Sequence, residues 1–180
     1  LADTILAQLR AAAESAPEIK AEEVEKIVAA RGGGDGSSRI LSRAGDTARI
    51  AIQGVLTKTP SWMAIIFGGG NTTYSEIISA VAEAEADTAV KTIQLDIDSG
   101  GGSVAGLFEA LDVLRSAKKP MVARVSDLAA SAAYAIAAQA DEIVAENVGA
   151  IFGSVGVATQ FYVSDNRVDI TSTKAKDKRP

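Results

Sequence analysis

Val90-Lys-Thr-Ile-Gln-Leu-Asp-Ile-Asp-Ser-Gly-Gly-Gly-Ser-Val104 runs from an apolar stretch, through three glycines, into an amphipathic segment. Val90 to Ile97 has the length and branched side chains of a strand. Val104 to Ala117 places Leu107, Leu111 and Leu114 on one face, which predicts a helix. Between them, Asp96-Ile-Asp-Ser-Gly-Gly-Gly-Ser103 is a strand-to-helix junction. Its glycines let the backbone turn sharply and approach another group closely. A helix start beyond it offers unpaired N–H groups, suited to a phosphate or an oxyanion. No Gly-Lys-Ser/Thr closes a P-loop, and the glycine spacing does not fit a dinucleotide fingerprint. An ordinary tight turn would use the same glycines.

The flanking sequence repeats the alternation of strand and helix. Ala48 to Leu56 alternates and is rich in β-branched residues, as a strand does. Thr57 to Gly70 reads as a loop with an apolar middle, Trp62 to Phe67. Thr73, with Glu76 three residues on, forms a capping-box pattern for a helix to about Ala86. Pro120 to Val125 is a short apolar strand, and Ser131 to Ala140 an Ala-rich helix. Glu142 to Ala145, Ala150 to Val157 and Val168 to Thr171 read as short extended segments. The order β-α-β-α-β-α-β predicts an α/β fold of repeated β-α-β units with a mostly parallel sheet. Residues 1–31 read as helical, and Arg31-Gly-Gly-Gly-Asp-Gly-Ser-Ser38 as a flexible break. The expected division is a helical arm and linker over 1–38 and a main domain over 39–180.

Composition narrows the chemistry. The 180 residues contain no histidine and no cysteine. That excludes a Ser-His-Asp triad, a thiolate nucleophile, a disulfide framework and a Cys-based zinc site within the chain. The balance of 18 Lys+Arg against 23 Asp+Glu, net −5, argues against a nucleic-acid partner. No apolar run reaches the roughly 18 to 20 residues of a membrane span. The start Leu1-Ala-Asp lacks the basic and apolar regions of a signal peptide. No membrane association and a cytoplasmic location are therefore expected.

Two further stretches can carry chemistry. In Ser126-Asp-Leu-Ala-Ala-Ser131-Ala-Ala-Tyr134, Ser131 falls where a predicted strand gives way to a helix. A lone serine there is usually an N-cap. It can also be a nucleophile, with small neighbours leaving room for a substrate. Gly149-Ala-Ile-Phe-Gly-Ser154-Val-Gly-Val157 has the spaced glycines of a buried strand or of one approached closely by another chain. The end, Ser172-Thr-Lys174-Ala-Lys176-Asp-Lys178-Arg-Pro180, reads as a solvated basic tail. In a chain without histidine it is also the place to look for a base. A lysine can activate a serine if its environment lowers its pKa from about 10.4.

In this order, Asp98-Ser-Gly-Gly-Gly-Ser-Val104, Ala129-Ala-Ser-Ala-Ala-Tyr-Ala-Ile-Ala137, Ala140-Asp-Glu-Ile-Val-Ala145 and Gly153-Ser-Val-Gly-Val157 resemble the signal peptide peptidase A family of Ser-Lys peptidases. The resemblance covers about residues 48 to 180. It implies the fold of the caseinolytic protease (ClpP) and crotonase group. It also implies serine endopeptidase activity without metal or cofactor. Carried over by position, Ser131 is the nucleophile. The backbone N–H groups of Gly102 and Ala132 are oxyanion donors, with Gly101 in the same turn. Ser154 helps orient the lysine. The lysine falls at Lys178 or Lys176, with Lys174 less favoured. Lys178 is preferred because phage-type members resemble the Lys-Arg-Pro end.

Gly100 stands where the family has Pro, and Ala132 and Ala133 where it has Gly-Gly. Family members continue beyond the proposed lysine, so the resemblance implies a C-terminally short domain of weak or no activity. The Phe67-Gly-Gly-Gly-Asn-Thr-Thr-Tyr74 stretch looks like that of head-maturation proteases of tailed phages. These act on capsid or scaffold proteins as homo-oligomers inside an assembling prohead. A soluble bacterial peptidase of the same family, a non-catalytic assembly protein and a crotonase-type acyl-CoA enzyme are the alternatives.

Overall fold

The computed structural model describes residues 38–60, 71–163 and 166–171, with side chains up to residue 158. The predicted arm over 1–31, the Trp62 to Phe67 stretch and Lys174, Lys176 and Lys178 lie outside the described residues. The described chain runs β1 (Leu41–Ala44), β2 (Thr47–Thr57), β3 (Asn71–Thr73), α1 (Tyr74–Ala86), β4 (Thr92–Gly102), α2 (Leu107–Ser116), β5 (Met121–Ala130), α3 (Ala132–Ala137), β6 (Glu142–Ala145), β7 (Ile151–Gly153), β8 (Ala158–Val163) and β9 (Asn166–Thr171).

The alternation of strand and helix gives the expected α/β architecture. One sheet has the order β1-β2-β4-β5-β6, with β3 added to β2 and β7 to β5. Every pairing in it is parallel except that of β1 with β2. The strands β8 and β9 form a separate antiparallel pair. Antiparallel β1 was not expected; four residues, three of them exposed, carry too little apolar pattern to announce a strand.

Alternate side chains of β2, β4 and β5 build the core. Ile50, Ile52, Leu56, Ile93, Leu95, Ile97 and Val125 are fully buried, with Ile77, Val81 and Leu114 from the helices. Each such side chain contributes about 1.5–3 kcal/mol of hydrophobic stabilisation. The opposite face is polar. On it, Arg49 Nε meets Asp96 Oδ2 at 3.0 Å and Arg124 Nε meets Glu146 Oε1 at 2.9 Å. This division explains why the central strands read as only partly apolar.

The capping box at Thr73 is present as expected. Thr73 Oγ1 accepts the Glu76 N–H, and Glu76 Oε2 accepts the Thr73 N–H at 2.8 Å. Thr73 also ends the unexpected β3. Thr72 Oγ1 accepts the Gln53 N–H and donates to the Gln53 carbonyl, both at 3.0 Å, which fastens β3 to β2.

Several predicted boundaries move; the helix predicted from Val104 to Ala117 is Leu107–Ser116, and four further shifts lie at the site. The strand predicted to end at Ile97 continues through the glycines to Gly102, because these residues still pair with β2 at Val55 and Leu56. The strand predicted to end at Val125 continues to Ala130 and acquires β7 as a second neighbour. The helix predicted to begin at Ser131 and reach Ala140 is the shorter α3. The extended segment predicted over Ala150 to Val157 is only Ile151–Gly153, after which β8 begins at Ala158.

Candidate active site

The lengthened ends of β4 and β5 lie side by side and carry the candidate residues. Ser131 stands between β5 and α3 with φ 55° and ψ −120°. A positive φ in a residue with a Cβ is strained, at a cost of about 1–3 kcal/mol, and such strain gathers at functional sites. The Ser131 side chain makes no capping hydrogen bond to α3. The capping role open to a serine at this position is therefore not the one adopted. Its backbone is held at both ends: the N–H donates to Gly153 O at 2.8 Å, and the carbonyl accepts from the Ala135 N–H at 3.0 Å. The turn thus fixes the Cβ direction.

The glycine run packs directly behind this serine. A Cβ on Gly101, whose φ is +92°, would lie 2.8 Å from Ser131 Cβ, 2.8 Å from Ala132 N and 2.6 Å from Ala130 O. A Cβ on Gly102 would fall on the Leu56 carbonyl. These two positions must be glycine for β4 to pass between β2 and the Ser131 turn. Gly100 has ordinary space around it.

Ser131, Ala132 and Gly102 share one cleft of about 350 Å3. Its other walls are mostly apolar: Val104, Leu107, Phe108 and Leu111 from the α2 region, Ala135 and Ala138, and Val155 and Val157 after β7. Phe108 and Val155 are 64% and 60% exposed, so apolar surface is presented to the opening. Ala132 opens the short helix, where the first N–H groups have no partner within it. The cleft thus combines a hydroxyl, backbone N–H groups and apolar walls.

Ser154 follows Gly153, the acceptor of the Ser131 N–H, and has φ 56°. Ser131 and Ser154 are the non-glycine residues with positive φ among the described residues. The structure thus brings Ser131, Ala132, Gly101 and Gly102 together and sets Ser154 one residue beyond a direct contact of Ser131. Lys176 and Lys178 lie outside the described residues. Sequence reasoning missed two hydroxyls below the glycine run. Ser99 is buried, donates to Gly54 O at 2.6 Å and accepts the Gly101 N–H at 3.0 Å. Tyr74 is buried at the start of α1 and donates to Ser103 O at 2.5 Å. Burial pushes its phenol up to about 12, against the smaller opposite effect of the Ser103 bond.

Residues 113–173 match the model of peptidase family S49. Over 90 residues the chain is 37% identical to the head-tail preconnector protein GP5 of Enterobacteria phage P21, covering 49% of this chain and 18% of that protein. It is 36% identical over 90 residues to capsid assembly protease C of Escherichia phage lambda, covering 49% and 20%. It is 31% identical over 103 residues to protease 4 of Haemophilus influenzae, covering 56% and 16%. The matched regions thus span about a fifth or less of these relatives' own length. Among solved structures, an enoyl-CoA hydratase from Polaromonas sp. JS666 superposes with a TM-score of 0.49 at 21% identity, over 62% of this chain and 49% of that one. The family match contains Ser131, its turn and the Gly153-Ser154 stretch, and the relatives are peptidases and phage assembly proteins: over residues 113–173 the chain is similar to peptidase family S49.

Proposed function

We propose that the protein is a serine endopeptidase that uses a Ser-Lys pair, with Ser131 as nucleophile and Lys178, or Lys176, as general base. The observation that carries this reading is the Ser131 turn. A strained, non-capping serine opens onto an apolar cleft beside two glycine-demanding positions. Ser131 Oγ attacks the scissile carbonyl carbon while the neutral lysine amine takes the hydroxyl proton. The carbonyl oxygen becomes an oxyanion, received by the N–H groups of Gly102 and Ala132. The tetrahedral intermediate collapses, the C–N bond breaks, and the ammonium returns the proton to the leaving amine. Water then releases the acyl group from Ser131 by the same steps. Ser154, beside the serine turn, helps to orient the lysine.

The substrates are protein chains, and the phage relatives favour capsid or scaffold proteins cut within an assembling prohead by a homo-oligomer. The capsid assembly protease among the relatives supports that class of substrate. Ser131→Ala tests the reading. It abolishes cleavage of a capsid or scaffold substrate, and labelling by a fluorophosphonate, without changing the thermal midpoint by more than a few degrees. Undiminished cleavage by that variant refutes the assignment. A non-catalytic assembly role would instead show as no labelling of Ser131 in the full-length protein.

A further inference from the structure

Gly102 is held from both sides by residues that have no part in the chemistry above. On its N-terminal side, the Gly101 N–H donates to Ser99 Oγ at 3.0 Å. Ser99 in turn donates to Gly54 O at 2.6 Å. Gly54, with φ 68°, sits where the β2–β4 register shifts between Gln53 and Val55. The irregularity in β2 thus brings Gly54 O within reach of a hydroxyl on the next strand. On the C-terminal side, Ser103 is gripped twice. Its N–H donates to Leu56 O at 2.9 Å and its carbonyl accepts from Tyr74 Oη at 2.5 Å.

The Ser103 N–H is given to β2, and Gly102 lines the same cleft as Ser131 and Ala132. The Gly101 N–H is already committed to Ser99 and is not available to a substrate. The glycines that let β4 pass under Ser131 also leave that segment with backbone freedom that no side chain restrains. Some other contact must fix its peptide planes.

We propose that Ser99 and Tyr74 are positioning residues that fasten the peptides on either side of Gly102 and so aim its N–H into the cleft. The proposal rests on the reading above, in which that N–H receives the oxyanion. Both residues are well placed for precision. Ser99 is 2% and Tyr74 1% exposed, so both hydroxyls are carried by side chains packed within the fold. Tyr74 is anchored through its own backbone by the Thr73–Glu76 capping box at the start of α1. Gly106, with φ +89°, leaves room for the phenol ring; a Cβ there would come within 3.0 Å of Tyr74 Cδ2.

The experiment is to make Ser99→Ala and Tyr74→Phe in the full-length protein. Each variant is followed by peptide kinetics, by fluorophosphonate labelling of Ser131 and by amide hydrogen exchange. Tyr74→Phe keeps the ring, and the exposed Ser103 can pass its carbonyl to solvent, so that variant stays folded even if Ser99→Ala does not. A mis-aimed donor costs less than the loss of one, which is worth about 10²–10³ in kcat. The expected result is a fall in kcat of about ten- to a hundredfold with KM within about twofold, on that same scale. The Gly101 amide, bonded to Ser99, exchanges faster in Ser99→Ala, and the Ser103 amide, bonded to Leu56 O, exchanges faster in Tyr74→Phe, while Ile77 and Val81 in α1 keep wild-type protection. The proposal is overturned by a kcat within twofold of wild type, by a loss that appears in KM alone, or by Gly101 and Ser103 exchange that is unchanged. It is also overturned if their exchange rises only together with that of α1. A wild-type protein whose Ser131 takes no label would strike the serine-peptidase reading instead. Gly101 and Ser103 exchange in the two variants then still decides whether the fastening exists.

Discussion

A Cβ at Gly101 would stand 2.8 Å from the Cβ of Ser131. The other atoms it would meet, Ala130 O at 2.6 Å and Ala132 N at 2.8 Å, are backbone, so no side-chain rotation can relieve the contact. The backbone at Gly101 is also left-handed, at φ +92°. Gly101→Ala must therefore push β4 and the Ser131 turn apart. It is expected to cost about 1–3 kcal/mol of stability and to slow fluorophosphonate labelling of Ser131 at least tenfold. Gly100→Ala, where the nearest atom is Leu128 Cδ2 at 3.7 Å, is the control and labels at close to the wild-type rate. Equal labelling by both would show that the two strands do not adjoin at the serine.

The strain at Ser131 makes a second prediction that runs against the usual trend. Replacing Ala by Gly normally costs about 0.4–1 kcal/mol through the unfolded chain. At φ 55° and ψ −120° the order reverses, because glycine alone enters this region without penalty. Ser131→Gly should be more stable than Ser131→Ala by about 1 kcal/mol, and both should be unreactive. Urea midpoints of the two variants decide it. A more stable alanine variant would mean that the turn is relaxed.

The helix α1 gives a test tied to acid pH. Glu76 is half-buried, which by itself raises its pKa, but the bonds from Thr73 and Arg39 outweigh burial and hold the carboxyl below its ordinary 4.5. Arg39 reaches Glu76 Oε1 at 2.7 Å. A depressed folded-state pKa means that the unfolded chain takes up the proton first. The stabilisation is therefore complete well above pH 4.5 and is lost as pH falls through the lower folded value. Glu76→Gln should flatten that part of the stability-against-pH curve, and Thr73→Ala should cost about 1 kcal/mol at neutral pH. An acid limb identical to wild type in Glu76→Gln would disprove the coupling.

The elements legible in the sequence were those whose signal is local. The Thr73-x-x-Glu76 box announced α1, and the Leu107, Leu111, Leu114 spacing announced α2. The parallel sheet followed from the alternation of strand and helix. The extension of β4 through Gly100–Gly102 was not legible. Glycine carries no β propensity, and only the partner residues Val55 and Leu56 make that run a strand. The same holds for Ser126–Ala130, which becomes strand through β7. At the site, motif order singles out Ser131 and Gly102 as candidates, whereas Ser99 and Tyr74 carry no such signal. Their contacts join residues 45 and 29 positions apart, and a buried hydroxyl leaves no periodic trace.

The cleft predicts a preference that peptide libraries can measure. Its walls at Leu107, Leu111, Ala135, Val155 and Val157 are apolar and offer no charge to a substrate side chain. A charged side chain buried there without a partner is strongly disfavoured. Small and branched aliphatic residues are therefore expected before the scissile bond. Ala135→Leu, which adds bulk to the wall, should shift the preference towards Ala and Gly, by about tenfold for each 1.4 kcal/mol of lost burial. Unchanged selectivity would place the substrate side chain elsewhere.

The base is the part of the mechanism that rests on position in the family pattern, and its chemistry makes it testable by pH. A chain without histidine has no side chain whose unperturbed pKa lies between 5 and 8. If Lys178 activates Ser131, kcat/KM must rise with pH as the free enzyme's ammonium loses its proton. The midpoint must lie below the ordinary lysine value of about 10.4, since only a depressed pKa leaves enough neutral amine near neutrality. Lys178→Arg keeps the charge but holds its proton throughout, so it should be as inactive as Lys178→Ala. Lys176→Ala should retain most of the rate. The reverse pattern, with Lys176→Ala inactive and Lys178→Ala active, would move the base two residues earlier and leave Ser131 in place. A rate independent of pH up to 10 in wild type would remove lysine from the reaction altogether.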